Sequence, residues 1–374
     1  MAVEIIQLTN KDRNLIKEFL NIPFNIYEDI PQWVPVLSID EKTPFNRRNP
    51  FYQHSTAAFF IAKTGTGEPL GRICIINNRN YNEYNQTKTA FFWMFETLDD
   101  EKVSGALFEK GFLWAKQQGL NKIAGPRGFT ALDGSGLLVK GFEHRPAFGL
   151  PYNPPYYQRL IEAVGFTPKS DSVSGYLSTD IQLPGKIHRV ADLIKRKRGL
   201  SVASYKRRKD LQALVPDLKD LYNNALGGTE GNVPITSQEA DIIAKQMLRF
   251  ADPGLIKVVM KGSKPVGFLF AYPDVSEAVQ KIKGRLLPFG WIILLKSFKT
   301  TEWVNVNGAG IAEEYRGLGA TALLFSELQK SIHNKQFKHA DLVQIGVDND
   351  KMQRELRNLG IEFYKKHRLY ERNL

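Results

Sequence analysis

The sequence predicts an α/β (α+β) protein with two similar domains in tandem, each a mixed central sheet flanked by helices. Three observations carry that expectation. The chain has 374 residues, more than the ~100 to 200 of a typical single domain. One segment recurs: GEPLGRICII at 67–76 and GSKPVGFLFA at 262–271 share a glycine, a proline, an apolar residue and a second glycine ahead of an apolar run. That order reads as a hairpin turn feeding a buried strand. In both halves the recurring segment is followed by strand, amphipathic helix and strand, the pattern of a β-α-β unit.

In the first half the unit comprises a strand at 90–95 (AFFWMF), a helix over about 101–118 and a strand at 122–124. The helix carries Val103, Leu107, Phe108, Phe112 and Ala115 on one stripe. In the second half the same elements fall at 304–311, about 318–334 and 341–346, with Leu323, Leu324, Leu328 and Ile332 forming the stripe. Each half then offers a helix stopped by a glycine, YYQRLIEAVGF with Gly165 and MQRELRNLGI with Gly360. Strands at 174–177 and 363–370 follow. A period of roughly 190 residues is too long for a solenoid and fits a duplicated domain. The expected domains are 1–183 and 184–374, with the junction beside the turn residues Pro184 and Gly185.

The most informative stretch is GAGIAEEYRGLGATALLFSEL, residues 308–328. A glycine-bearing loop between a strand and a helix lets successive backbone N–H groups converge on a pyrophosphate, and the helix start adds partial positive charge. Arg316 can grip a phosphate with two parallel hydrogen bonds. This stretch resembles the acyl-CoA signature of the GNAT acetyltransferase superfamily, Q/R-x-x-G-x-G/A. Arg316 and Gly319 match, Thr321 stands where the family has Gly or Ala, and Gly317 adds a glycine. The resemblance implies acetyl-CoA or another acyl-CoA lying along Arg316, Gly317, Leu318, Gly319, Ala320 and Thr321.

Downstream, Asn349, Met352, Leu359, Gly360 and Ile361 are similar to the family's N-x-x-A-x-x-L-Y-x-x-L-G-F/I helix, which implies that Asn349 touches the CoA arm. The family's general-acid tyrosine is replaced here by Leu356. Tyr364 and Tyr370 are the nearest tyrosines that could take over. Glu302, Glu313 and Glu314 border the relevant strand as candidate bases, each with an exposed loop carboxylate as the plain alternative.

The first half has the fold pattern without the cradle. Between its strand and helix stands ETLDDEKVSG, whose carboxylates would repel phosphate. It carries instead a long Gly-, Pro- and aromatic-rich segment at 125–157, of the kind that is often functional. Arg127, Asp133, Tyr156 and Tyr157 are its candidate substrate residues, with His144, Arg145, Tyr152 and Asn153 nearby. The alternative is a loop packed over the sheet by its aromatics. Over most of its length the chain is also similar to bacterial tandem-GNAT proteins of undefined substrate, through GP…NPPYY, GRLLP at 284–288, DND-x-M and Y-K-K-x-R-x-Y.

Composition narrows the partners. Hydrophobic residues at 43% and charged residues at 24% are ordinary for soluble globular proteins. The N-terminal stretch lacks the apolar h-region of a signal peptide, so a cytoplasmic protein is expected. The most apolar run, FGWIILL at 289–295, is far short of the ~20 residues that span a bilayer and is expected to be a strand or a buried helix segment. The single cysteine, Cys74, lies in an apolar run and reads as a buried structural thiol. Six histidines without HxxxH or HxH spacing give no metal site. A net charge of +12 favours an acidic partner, namely CoA phosphates, nucleic acid or an anionic membrane surface. The basic clusters KRKR (195–198) and KRRK (206–209) read as a solvated face or as docking points for an acidic substrate or tRNA.

The resemblance therefore implies an acyl-CoA-dependent N-acyltransferase acting on a small-molecule amine, by direct attack on the thioester. Two alternatives stand beside it: a tRNA-dependent aminoacyltransferase of tandem-GNAT type, and a non-catalytic acyl-CoA-binding or regulatory protein.

Overall fold

The computed structural model describes residues 2–130, 133–180, 183–225 and 232–374. The segment proposed from sequence as the domain junction thus adjoins residues 181 and 182, which lie outside the described residues. The chain forms two compact units. One is built from Met1–Val173, Ser276–Leu295 and Lys365–Leu374, the other from Ser174–Val275 and Lys296–Tyr364.

Strands β1 (Val3–Leu8), β2 (Thr56–Thr64), β3 (Pro69–Asn77), β4 (Thr89–Thr97), β5 (Lys122–Gly125) and β6 (Leu137–Lys140) belong to the first unit. Then come β7 (Thr167–Ser178), β8 (Leu200–Ala203), β9 (Lys257–Lys261), β10 (Lys264–Pro273), β11 (Trp303–Ile311), β12 (His339–Gly346) and β13 (Glu362–Asn373). In the first unit β1 to β4 are antiparallel neighbours, and β5 joins β4 in parallel. The C-terminal part of β13 completes this sheet, pairing antiparallel with β5 from Tyr370↔Gly125 to Asn373↔Lys122. In the second unit β8, β9, β10 and β11 run antiparallel in that order, and β12 joins β11 in parallel.

The helices form where the apolar stripes predict them. The helix Glu101–Gln117 buries Val103, Leu107, Phe108 and Ala115, and its Gly111 lies so close to Ile75 that a Cβ would come within 2.8 Å of the Ile75 side chain. The helix Ala320–Asn334 buries Leu323, Leu324, Leu328 and Ile332 against Val304 and Val306 of β11. Cys74 is buried among the strands, and burial pushes its thiol pKa well up, as suits a structural cysteine. No helix among the described residues is long and apolar enough to cross a membrane.

One expectation is corrected. The run FGWIILL does not sit in the core. It opens the helix Gly290–Thr300, of which Gly290 and Leu294 are buried, while Phe289, Trp291, Ile292, Ile293 and Leu295 are exposed. An apolar run is buried only when the fold brings another apolar layer onto it, and here no layer among the described residues covers that face.

Each unit contains a parallel pair that is zipped only at one end. The β4–β5 register runs from Thr89↔Lys122 to Phe91↔Ala124. The β11–β12 register runs from Trp303↔His339 to Val306↔Leu342, while β10 follows β11 as far as Ile311. Past Val306, Gly308 and Ala309 are exposed strand residues. A strand with small, exposed residues beside a loop and a helix start is open to a ligand's backbone-like arm.

Candidate active site

The second unit has a glycine-bearing helix start with the geometry to hold an anion. Gly317 and Gly319 have φ of +70° and +88°, a left-handed conformation that costs other residues energy. Gly319 is the N-cap of the helix Ala320–Asn334, and a Cβ on it would meet the Ile194 side chain at 2.9 Å, so the helix start is pinned against the helix Gly185–Arg198. The first N–H groups of any helix lack intrahelical acceptors and sit at the positive end of its dipole. Residues 320–323 contain no carboxylate to occupy them. Arg316 is fixed beside the loop: its Nη2 donates to the Ala225 carbonyl at 2.6 Å and its Nε to the Ile311 carbonyl at 3.3 Å. A guanidinium has five N–H donors, so a phosphate contact is compatible with both bonds.

The corresponding helix start in the first unit is already occupied. Asp100 caps it, its carboxylate accepting from the N–H groups of Lys102 at 2.7 Å and Val103 at 3.4 Å. Asp99 and Glu101 both pair with Arg159. An anion would find acceptors there where it needs donors.

Strand alternation sends Val304 and Val306 toward the helix Ala320–Asn334 and Asn305 and Asn307 to the opposite face. On that face lies a buried polar cluster. Asn305 and Asp341 are register partners across β11 and β12. The Asn305 Nδ2 donates to Asp274 Oδ2 at 2.7 Å, and the Tyr364 hydroxyl donates to Asp341 Oδ2 at 2.7 Å. Asn307 Nδ2 donates to the Tyr272 hydroxyl at 3.1 Å. Asp274, Asn305 and Asp341 are 6%, 1% and 2% exposed, so water would screen a charge placed among them poorly.

The sequence-derived residues are distributed unevenly with respect to this cluster. Tyr364 is in it, but burial and the Asp341 carboxylate raise its pKa far above the ordinary tyrosine value of 10.0, so its hydroxyl holds its proton. Its position suits orienting Asp341 better than protonating a thiolate. Glu302 is exposed and pairs with Lys338 at 2.5 Å. Glu313 is exposed at the head of the turn Glu313–Tyr315, and Glu314 pairs with Lys264 at 3.1 Å. Leu356 is core, 1% exposed. Asn349 caps the helix Asp350–Asn358, its Oδ1 accepting from the Met352 N–H at 3.1 Å. Tyr370 is buried in the first unit, donating to Glu162 Oε1 at 3.1 Å.

The first unit has a polar cluster of its own, centred on Glu96. A bulge on β4, where Met94 and Phe95 oppose one residue of β3, brings Glu96 into register with Arg72. The hydroxyls of Tyr27 and Tyr157 donate to Glu96 Oε2 at 2.6 and 2.8 Å. Tyr157 also accepts from the Thr97 N–H at 2.9 Å, and Tyr156 donates to the Thr97 carbonyl at 2.9 Å. Burial raises the Glu96 pKa and Arg72 partly offsets it. Tyr156 and Tyr157 therefore converge on the end of β4, a role the aromatic segment alone did not reveal. Arg127 lies over the rings of Tyr81 and Phe91, 5.1 and 5.2 Å from their centroids. Asn153 holds the loop by clasping the Leu138 backbone.

Asp133 keeps some exposure, but its carboxyl is hemmed in and its Oδ2 accepts from the Thr130 N–H at 2.6 Å. Burial, opposed by the Thr130 bonds, raises its pKa from 3.8 to about 6. A raised carboxyl pKa means the protonated form suits the fold, so its favourable contribution is full below 3.8 and is lost as pH rises through about 6. Asp133→Asn, which keeps the acceptor oxygen, is expected to melt higher than wild type at pH 8 by an amount worth about 1 to 2 kcal/mol, and with no advantage at pH 3.5. Paired thermal melts across that range check it. An advantage that does not change with pH would show that ionisation of Asp133 is not the cause.

No protein-family model matches the sequence. The architecture is that of tandem GNAT proteins, which solved structures share along its whole length. A tandem GNAT protein from the clavulanic acid biosynthesis pathway, solved without AcCoA, is similar with a TM-score of 0.59 and 11% identity, covering 100% of this chain and 98% of that one. A GCN5-related N-acetyltransferase from Sphaerobacter thermophilus follows with a TM-score of 0.54 and 11% identity, covering 99% and 95%. The chain thus has a tandem GNAT-like fold. Among curated proteins, it is 27% identical over 370 residues to Protein YghO of Escherichia coli (strain K12), covering 97% of this chain and 94% of that protein. It is 26% identical over 372 residues to the Bacterial ceramide synthase of Caulobacter vibrioides (strain NA1000 / CB15N), covering 96% and 95%.

Proposed function

We propose that the chain is a cytoplasmic acyl-CoA-dependent N-acyltransferase whose acceptor is a long-chain amine. The observation that carries the reading is the glycine-bearing, carboxylate-free helix start at 317–321 beside Arg316, set against the acid-capped start in the first unit. The name of the Caulobacter relative is the reason for a lipid acceptor, since a ceramide is a long-chain amino alcohol carrying an N-acyl group.

In this reading the N–H groups of Gly319, Ala320 and Thr321 and the Arg316 guanidinium hold the pyrophosphate. Acyl-CoA, when bound, supplies an activated acyl carbon. Asp341 draws in the acceptor as an ammonium ion and takes the proton it must lose before its nitrogen can attack. Tyr364 fixes the carboxylate by donating to Oδ2, and the Asn305 bond fixes Asp274 beside the same strands. The C–N bond then forms as the thioester C–S bond breaks, CoA leaves as its thiol with the nitrogen's second proton, and no covalent enzyme intermediate is required.

The test is titration calorimetry of the full chain with acetyl-CoA and long-chain acyl-CoAs, followed by thiol release and mass spectrometry with sphingoid bases and short amines. Saturable binding with an N-acylated long-chain product supports the proposal. Absence of any acyl-CoA binding overturns it, binding without turnover on any amine points to a non-catalytic acyl-CoA protein, and product formed only from aminoacyl-tRNA points to the tRNA-dependent route.

A further inference from the structure

A run of exposed apolar side chains at 287–295 includes none of the residues assigned to acyl transfer. Leu287 is 81% exposed and Phe289 69%, and Trp291, Ile292, Ile293 and Leu295 range from 43% to 53%. Soluble proteins seldom leave so many large apolar side chains together in water unless something docks on them. The segment is held firmly from behind. Ser38 N–H donates to the Gly284 carbonyl at 3.0 Å, and the Gln280 amide donates to the carbonyls of Pro31 and Trp33, both at 2.8 Å. The first of these bonds brings exposed Val36 and Ile39 alongside the same segment.

Charge identifies the occupant. From Glu277 to Glu302 the sequence contains no acidic residue, while Lys281, Lys283, Arg285, Lys296 and Lys299 all lie exposed in that interval. Only Lys281 has a carboxylate on the same stretch, Glu277 at 2.5 Å. In a symmetric dimer through this face, like cations would be brought toward like, which is costly. An anionic lipid surface presents the complement: acyl chains for the apolar side chains and phosphates for the cations around them.

The helix Gly290–Thr300 is graded along its axis, with its first turns apolar and Lys296 and Lys299 toward its end. At 1.5 Å per residue, Lys296 stands about 8 Å beyond Trp291, comparable with the ~5 to 10 Å depth to which interfacial helices sink. Tryptophan is the residue that most favours such an interface. We infer that this chain docks peripherally on anionic membranes, inserting the apolar head of this helix with the preceding Leu287 and Phe289 while its lysines contact headgroups. The docking does not depend on acyl transfer.

The test is flotation of the full chain with vesicles of phosphatidylcholine alone or mixed with phosphatidylglycerol. Wild type is expected to float with the mixed vesicles, less so as salt is raised, and little with phosphatidylcholine alone. Phe289→Ser combined with Trp291→Ser and Ile292→Ser should weaken partitioning at least about tenfold. Lys296→Glu with Lys299→Glu should weaken it by a similar factor while leaving the apolar residues in place, so the test survives a folding defect in the serine variant. Failure of wild type to float with anionic vesicles, or flotation of both variants at the wild-type level, overturns the inference. So does a dimer that falls apart in the serine variant while vesicles are ignored, because the face would then belong to a second copy.

Discussion

A Thr321→Asp protein is expected to fold at least as stably as wild type and to bind acyl-CoA at least about 100-fold more weakly. Thr321 is the second residue of the helix Ala320–Asn334 and is only partly buried. A carboxylate in a first helical turn interacts favourably with the helix dipole, typically by about 0.3 to 1 kcal/mol. In the proposed complex the same charge faces the pyrophosphate. At the effective dielectric near a protein surface, two unit charges 4 Å apart repel by about 4 kcal/mol, and a 100-fold loss needs only about 2.7 kcal/mol. The two effects have opposite signs, which separates loss of the cradle from loss of the fold. Asp100 already does the equivalent at the first unit's helix start. Calorimetric titration with acetyl-CoA and denaturant midpoints for wild type, Thr321→Asp and the neutral Thr321→Asn check it. If Thr321→Asp binds like wild type, the cofactor lies elsewhere. If Thr321→Asn loses binding equally, shape and not charge is at issue.

What could be read from the sequence was what is encoded locally. The stripes of the two long helices, the glycines that end the shorter ones and the turn before each recurring strand all depend on near neighbours in the chain, and the structure has them where the pattern placed them. The glycine loop was visible for the same reason. Clusters assembled by topology were not. Asp274, Asn305, Asp341 and Tyr364 come from four separate segments, and a lone aspartate in HADLVQIG gives only the weak hint that a charge in an apolar strand needs a partner. Glu96 was hidden among the acids of ETLDDEK, and it took a bulge in β4 to turn it toward Tyr27 and Tyr157.

Ambiguity of a different kind attaches to Asn349 and to β13. An asparagine three residues before Met352 is both a cofactor-contact pattern and an ordinary helix cap, and the structure accounts for its Oδ1 as the cap. Alternation along β13 is the same whichever sheet the strand completes, so nothing in its sequence announces that its C-terminal part pairs with β5. The run FGWIILL shows the limit most plainly, because composition reports how apolar a segment is and not what covers it.

Asp341→Asn is expected to lower kcat on an amine acceptor by about 10² to 10⁴-fold, the usual worth of a positioned proton acceptor, while shifting the unfolding midpoint little. The substitution preserves shape, and an amide oxygen can still accept from the Tyr364 hydroxyl that now donates to Oδ2 at 2.7 Å. On the proposed mechanism it removes the charge that attracts an ammonium ion and the site that takes its proton. An amine with a pKa near 10 is almost wholly protonated at pH 7, and its free fraction rises about tenfold for each pH unit below that value. The deficit of the variant should therefore shrink as pH rises from 7 toward 9, because solution then delivers the acceptor already neutral. Steady-state rates at saturating acyl-CoA across that range, with unfolding measured in parallel, check the prediction. Tyr364→Phe gives the contrast: it leaves the carboxylate, deprives it of a donor, and should cost about 1 to 3 kcal/mol of stability with a smaller loss in kcat. A deficit in Asp341→Asn that is constant with pH would make Asp341 a packing residue of the strand pair, and unchanged kcat would move the proton acceptor out of this cluster, with Glu302 and Glu313 the next carboxylates to test.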